Sequence, residues 1–405
     1  MSRTAAAHRF AILSTHPIQY HSGWFRGLAA HPDLQIHVYY CHRATPAEQA
    51  SAGFGVAFDW DVPLLTGYPH SFLRNVADRP GHGGFAGFDT PEIRNIIRCG
   101  QYEAVLINGW HYKSAWQAIL TCWQSDVKVM VRGDSHLHTV RSLPLRLAKS
   151  LAYPRFIPRF DACLAVGQWS REYFLHYGAS PERIFLVPHT VDVDSMGEDA
   201  NRLRPIRSEL RQRWVLDPNA TTFLFVGKFT ETKRPMDFVR AVREAASQKA
   251  EVQGLMVGDG PLRNTCEDFA HTHHVPITFT GFLNQSQIVS TYVAADALVL
   301  PSAGETWGLV VNEAMSCGLT CIVSDRVGCG PDLIEAGRTG AVFQLGDVDG
   351  LAALMTGLAR DPSQLAFMST QARRKIQKHS IPAAVEGVLQ SLHAITGSRT
   401  LVCNC

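Results

Sequence analysis

Two basic and two acidic residues in the second half of the chain have types and spacings suited to polyanion and polyol chemistry. Val226-Gly227-Lys228-Phe229-Thr230-Glu231-Thr232-Lys233 follows an apolar run that reads as a strand. Gly227 lets the backbone approach a ligand closely. Lys228 and Lys233 place two ammonium groups at the strand's carboxyl end, where they can neutralise a diphosphate. Solvated surface lysines are the plain alternative. Further on, Leu298 to Gly318 reads as strand, loop and helix, with Glu305 in the loop and Glu313 eight positions later. The pattern predicts a helix starting near Thr306, whose unpaired first-turn N–H groups make an anion site. Glu313 then points to much the same side as Glu305. Set among Leu309, Val310, Val311, Ala314 and Met315, Glu313 is costly to bury without a partner. The vicinal hydroxyls of a ribose would serve, as would a structural cap or ion pair.

The elements that must position these residues are legible as apolar runs separated by helical patterns. Strand candidates are Phe10–Ser14, Leu34–Tyr40, Ala104–Asn108, Lys128–Arg132, Ala162–Val166 and Ile184–Pro188. A second block follows: Thr222–Gly227, Gly254–Gly258, Ile277–Thr280, Ala297–Pro301, Thr320–Ser324 and Ala341–Phe343. Runs apolar on both faces are typical of parallel strands, and strand–helix alternation in two blocks predicts an α/β protein of two doubly wound, Rossmann-like domains. Two such domains facing each other make a cleft, and ligands bind beyond the carboxyl ends of the strands. The expected division is residues 1–190 for an N-terminal domain and 191–380 for a C-terminal domain. A helix over 381–396 is expected to cross back to the first domain, and 397–405 to be a flexible tail.

At this point a resemblance becomes specific. Glu305 and Glu313 resemble the E-x7-E signature of the retaining glycosyltransferase family 4, the glycosyl transferases group 1. Val226–Lys233 is similar to that family's strand and basic loop, and Gly258-Asp259-Gly260-Pro261 to its G-x-G-P turn; Phe279–Phe282 and Tyr292–Pro301 follow in order. The resemblance implies a GT-B fold and sugar transfer from a nucleotide diphosphate sugar without a metal or other cofactor, with residues 1–190 as the acceptor-side domain and 191–380 as the nucleotide-sugar-binding domain. It implies that Gly227, Lys228 and Lys233 meet the donor diphosphate, that Glu313 holds the ribose hydroxyls, and that Glu305 contacts the transferred sugar. Backbone groups of Thr306, Trp307, Gly308 and Leu309 would meet the sugar or the distal phosphate. His111 resembles the family's cleft histidine and joins Glu305, Lys228 and Lys233 as a catalytic candidate. The loop Val327–Asp332 departs slightly from the family pattern and reads as core packing near the donor.

In the first half, His16, Gln19 and Tyr20 in Thr15–His21 can hydrogen-bond an acceptor, although His16 and His21 equally suit a turn. Arg132 and Asp134, at the end of another strand, can orient an acceptor; Asp134 can instead cap the next helix. His189-Thr190-Val191-Asp192 stands where the family has its hinge.

Composition bounds the rest. The 405 residues carry a net charge of +2, split as +5 over residues 1–190 and −3 over the remainder. That is too mild for nucleic acid and consistent with a basic face on the first domain. Ten cysteines form no CxxC pair. Cys41, Cys99, Cys163 and Cys321 read as small core residues, Cys403 and Cys405 as tail residues, and a cytoplasmic location fits. Neither a cleaved leader nor a membrane span is expected. From Ser135 to Phe160 there is no acid, while Arg141, Arg146, Lys149, Arg155 and Arg159 alternate with Leu143, Leu145, Leu147, Leu151, Phe156 and Ile157. Such a stretch can lie on an anionic membrane, as a lipid-linked acceptor would favour, or simply cover its own domain.

Three Asp-x-Asp strings, Asp59–Asp61, Asp192–Asp194 and Asp347–Asp349, sit in unrelated contexts and are not expected to hold a metal. Gly81–Gly87 mimics a dinucleotide fingerprint but lacks a preceding strand, and reads as a loop. His271, His273 and His274 read as solvated. Two other functions fit the same motifs: a sugar-nucleotide epimerase of the same architecture, and a non-catalytic sugar-nucleotide-binding protein.

Overall fold

The computed structural model describes residues 7–46, 58–139 and 141–397. Cys403 and Cys405, and the tail from residue 398 onward, lie outside the described residues. The described residues form two wholly parallel sheets. The first contains β1 (His8–Ser14), β2 (Leu34–Tyr40), β3 (His70–Phe72), β4 (Ala104–Asn108), β5 (Lys128–Gly133), β6 (Ala162–Ala165) and β7 (Ile184–Leu186) in the order β3-β2-β1-β4-β5-β6-β7. The second contains β8 (Thr221–Val226), β9 (Val252–Val257), β10 (Ile277–Gly281), β11 (Ala297–Leu300), β12 (Thr320–Ser324) and β13 (Gly340–Phe343) in the order β10-β9-β8-β11-β12-β13. Strand β3 escapes the sequence pattern because it is three half-buried residues, two of them His and Ser, paired only with β2.

The chain divides into two compact units. One comprises Met1–Ala44, Pro63–His189 and Ile381–Cys405; the other comprises Thr45–Val62 and Thr190–Ser380. The described residues 58–62, which the sequence division puts in the first domain, thus group with the second unit. There Phe58 packs on Phe282 with ring centroids 4.4 Å apart, and Asp59 O accepts from Asn284 Nδ2 at 2.8 Å. The Ile381–Thr396 helix belongs to the first unit. Its Ala384, Val385, Val388, Leu389 and Leu392 join Trp24, Phe25, Leu28, Phe10 and Ile12 in one buried cluster on one face of the first sheet. Burying apolar side chains there removes their surface from water, the largest favourable term in folding.

In each sheet the strand order reverses at one place, between β1 and β4 and between β8 and β11. Ligands of open parallel sheets bind outside the carboxyl ends of the strands at that place. Lys228 follows β8 and Glu305 follows β11; His16 follows β1 and His111 follows β4.

Two details differ from sequence expectation. Cys99 is exposed, at the last turn of the Ile93–Cys99 helix. The Leu143–Phe156 helix buries Lys149, whose ammonium lies 5.0 Å from the Tyr153 ring centroid, while Leu143 and Leu151 are 65% and 63% exposed. One cation thus points inward, while the leucines point outward together with Arg146 and Arg155. No helix among the described residues is long and apolar enough to cross a membrane.

Candidate active site

The second unit builds its site from the loops after β8, β9 and β11. The β8 loop is shaped from below by Gly258 and Gly260, at φ +130° and +150°. A Cβ on Gly258 would lie 1.9 Å from Gly227 O, and one on Gly260 2.8 Å from Phe229 N. Only glycines let the two turns lie against each other, and this contact sets the position of Lys228. Lys233 is ion-paired with Glu305 Oε1, and Ser302 Oγ donates to the same oxygen at 3.0 Å. The two lysines and Glu305 form one electrostatic group: burial and then the Lys233 charge lower the pKa of Lys228, and Glu305 opposes them.

Glu305 is fixed by its main chain. Its N–H donates to Arg326 O at 3.2 Å, and its carbonyl accepts from Gly328 N–H at 3.1 Å. Trp307 O likewise accepts from Cys329 N–H at 2.9 Å. The Val327–Asp332 loop therefore clamps the Glu305–Trp307 segment from beneath. These bonds hold Glu305 in a parallel bridge to Val327 and Thr306–Trp307 in a bend, and delay the helix, which begins at Leu309 and not near Thr306. Gly308 sits immediately before it at φ +102°, a conformation that favours glycine. Trp307 is buried and gives its Nε1–H to Asn312 Oδ1 at 2.8 Å, so its ring belongs to the core and only its main chain is placed for a ligand. Glu313 lies in the second turn, 1% exposed, and accepts a 2.6 Å hydrogen bond from the Tyr292 hydroxyl. Sequence reading gave Tyr292 and Ser302 no role; the signal for Tyr292 was a phenol among the apolar residues Ile288, Val289, Val293 and Ala294, whose hydroxyl must find a partner when buried.

In the first unit, Gln19 and Tyr20 open the Gln19–Ala30 helix just after β1. His16 Nδ1 and Thr15 Oγ1 are 3.0 Å apart, and the His16 ring meets His82 edge-on with centroids 4.8 Å apart. Arg132, on β5, pairs in register with Asn108 on β4. It is 6% exposed, lies 4.7 Å over the Trp24 ring, and reaches Pro188 O and His189 Nδ1, each at 3.4 Å. Asp134 Oδ2 is 4.0 Å from His189 Nε2. Burial and then the Lys149 charge lower the pKa of His111, against the opposing charge of Asp134. The structure thus brings Arg132, Asp134 and His189 together and links His111 to them through Asp134.

The Asp-x-Asp strings serve local structure. Asp61 accepts from Ser286 N–H at 3.2 Å at the start of the Gln285–Ala294 helix. Asp192 and Asp347 are helix N-caps, accepting from Ser195 N–H at 3.1 Å and Gly350 N–H at 2.8 Å. Gly81–Gly87 closes on itself through Gly81 N–H to Gly87 O at 3.1 Å and ends in a short 3-10 turn.

With this geometry in place, comparison with solved structures defines the fold. A glycosyltransferase from Rickettsia africae superposes with a TM-score of 0.74 at 14% identity, covering 97% of this chain and 99% of that one. Anabaena HepE in complex with UDP gives 0.70 at 17% identity, covering 96% and 100%. The fold is that of the GT-B glycosyltransferases. In sequence, residues 206–375 match the glycosyl transferases group 1 profile and residues 25–195 match Glycosyltransferase Family 4. The D-inositol 3-phosphate glycosyltransferase of Rhodococcus jostii is 30% identical over 366 residues, 83% of this chain and 78% of that protein. The chain belongs to glycosyltransferase family 4, and it is an enzyme of glycosyl transfer.

Proposed function

We propose that the enzyme moves a sugar from a nucleotide diphosphate sugar to a hydroxyl acceptor with retention of anomeric configuration and without a metal. The observation that carries this reading is the group formed by Lys228, Lys233 and Glu305 at the strand-order reversal of the second sheet, with buried Glu313 on the helix that follows. Charge builds on the leaving diphosphate as the glycosidic bond breaks, and fixed cations and helix N–H groups are the means to stabilise it. Lys233 is shared between Glu305 and that diphosphate, and Glu305 is thereby set beside the sugar. Glu313 accepts hydrogen bonds from the ribose hydroxyls. Backbone groups of Thr306 to Leu309 contact the sugar or the distal phosphate. In the first unit His16, Gln19, Tyr20, Arg132 and Asp134 hold the acceptor, with His111 near the transferred sugar. The acceptor hydroxyl attacks on the face the diphosphate leaves, and a phosphate oxygen takes its proton.

The outward leucines of the Leu143–Phe156 helix, flanked by Arg141, Arg146 and Arg155, support contact with an anionic bilayer and a lipid-linked acceptor. Surface polysaccharide assembly at a cytoplasmic membrane face is the setting this suits.

The test is a thermal-shift panel of nucleotide sugars with and without EDTA, followed by titration of the stabilising donor into Glu313→Ala. Loss of charged hydrogen bonds should weaken donor binding by about tenfold to a hundredfold. Full donor affinity in Glu313→Ala would overturn the assignment. Consumption of donor to an epimer with no acceptor present would favour an epimerase instead.

A further inference from the structure

Burying a charge without a counter-charge is among the costliest choices a fold can make. Arg132 comes close to that choice: Asp134 favours its charge but lies against His189 and is not ion-paired with the guanidinium. Among the described residues it has no carboxylate within ion-pairing distance, and its Nε has no hydrogen-bond partner. Its register partner Asn108 has both amide atoms buried and unpaired, and His21 Nδ1 is unpaired as well. Paired residues on neighbouring strands project to the same face, and here Trp24, beneath the Arg132 guanidinium, belongs to the core of that face. The surrounding imidazoles do not compete for the site with positive charge. Burial, then Arg132 and other neighbours, lower His21 to about 3 and hold His189 well below its usual value. Burial lowers Arg132 itself only to about 10, so it stays protonated at neutral pH. A buried cation with an unused donor, beside an amide with two unused N–H donors, is complementary to an oxyanion, and the Asn108 carbonyl is left to accept from a hydroxyl of the same ligand. A planar guanidinium matches a carboxylate or a phosphate with equal ease.

We propose that Arg132 and Asn108 bind an anionic group, a carboxylate or phosphate carried by the acceptor, at the carboxyl ends of β4 and β5. This rests on the reading of the first unit as the acceptor side. It adds that the acceptor is a hydroxyl compound bearing a negative charge.

Two measurements test it. Inorganic phosphate and, separately, acetate are titrated calorimetrically into the wild-type chain, Arg132→Met, Asn108→Leu and the Lys228→Ala/Lys233→Ala double variant, with chloride at matched ionic strength as the control. Two classes of anion site are expected in the wild type. Arg132→Met and Asn108→Leu should each weaken one by about tenfold or more, and the lysine double variant the other. Isotherms unchanged by both first-unit substitutions would overturn the proposal. This arm needs no turnover, so it reads the site even if the transferase reading fails. In the second measurement, transfer to paired acceptors with and without a carboxylate or phosphate is compared. The proposal expects Arg132→Met to raise KM for the charged acceptor about tenfold, with donor KM and neutral-acceptor KM unchanged. An equal loss on charged and neutral acceptors would show a merely structural arginine and overturn it.

Discussion

The Tyr292 hydroxyl donates to Glu313 Oε2 at 2.6 Å, with the two side chains 0% and 1% exposed. A hydrogen bond to a buried carboxylate orients it as well as stabilising it. Tyr292→Phe should destabilise the second unit by about 1–3 kcal/mol and weaken donor binding severalfold, since Glu313 loses the contact that aims it. Urea denaturation and donor calorimetry on the same preparation check both effects. Donor affinity unchanged alongside lost stability would confine the pair to a structural role.

The pKa of Lys228 is lowered by burial and by Lys233, and raised by Glu305. If the ammonium form binds the diphosphate, donor affinity should fall as pH rises through a value below the usual 10.5. Lys233→Ala removes a like charge and should move that fall to higher pH, while weakening affinity throughout. Glu305→Gln removes the opposing charge and should move it lower. Stability runs the other way. The unfolded chain binds the extra proton between the folded and unfolded values, so Lys228's contribution to folding improves as pH rises through that window. Buried thiols such as Cys122 and Cys163, raised by burial, titrate in the opposite sense, so the check is the difference between wild type and Lys228→Met in urea melts: it should move in favour of the wild type as pH rises, while donor affinity falls.

Gly258→Ala should cost stability twice, through its φ of +130° and through a Cβ 1.9 Å from Gly227 O. Gly337→Ala is the comparison, at φ +69° with nothing within 4 Å of its Cβ. Backbone strain alone is worth on the order of 1–3 kcal/mol. Gly258→Ala should exceed Gly337→Ala in urea melts and, unlike it, weaken donor binding by displacing Lys228.

Asp61→Ala, Asp192→Ala and Asp347→Ala should each lower stability by about 0.5–2 kcal/mol, as lost helix caps do. Transfer activity should be unaffected by these substitutions and by EDTA. Activity that EDTA abolishes and a divalent cation restores would contradict the metal-free mechanism.

The central strands were readable because parallel strands covered on both faces are continuous apolar runs; Ala104–Asn108 and Thr320–Ser324 have the same limits in sequence and structure. The lysine and glutamate motifs were readable because their members are close in sequence. What escaped was held by contacts between distant segments. The start of the Leu309–Ser316 helix depends on hydrogen bonds from residues 326–329, and local propensity near Thr306 gives no hint of them. Glu313 finds Tyr292 on another helix, and Asn108 meets Arg132 only through strand pairing. The Leu143–Phe156 helix shows the limit of composition. Its basic and leucine residues were plain, but the packing of Lys149 among tyrosines, with the leucines turned out, follows from which face meets Tyr153 and Tyr173.

The Ile381–Thr396 helix also dictates an order of events during synthesis. The sheet whose strands leave the ribosome first cannot close its core until Val388 and Leu392 emerge, long after the second sheet is complete. Early-made strands must wait with one apolar side uncovered, a period when chaperones or aggregation compete for them. A premature stop shortly before residue 381 would thus spare the later half of the polypeptide and ruin the earlier one.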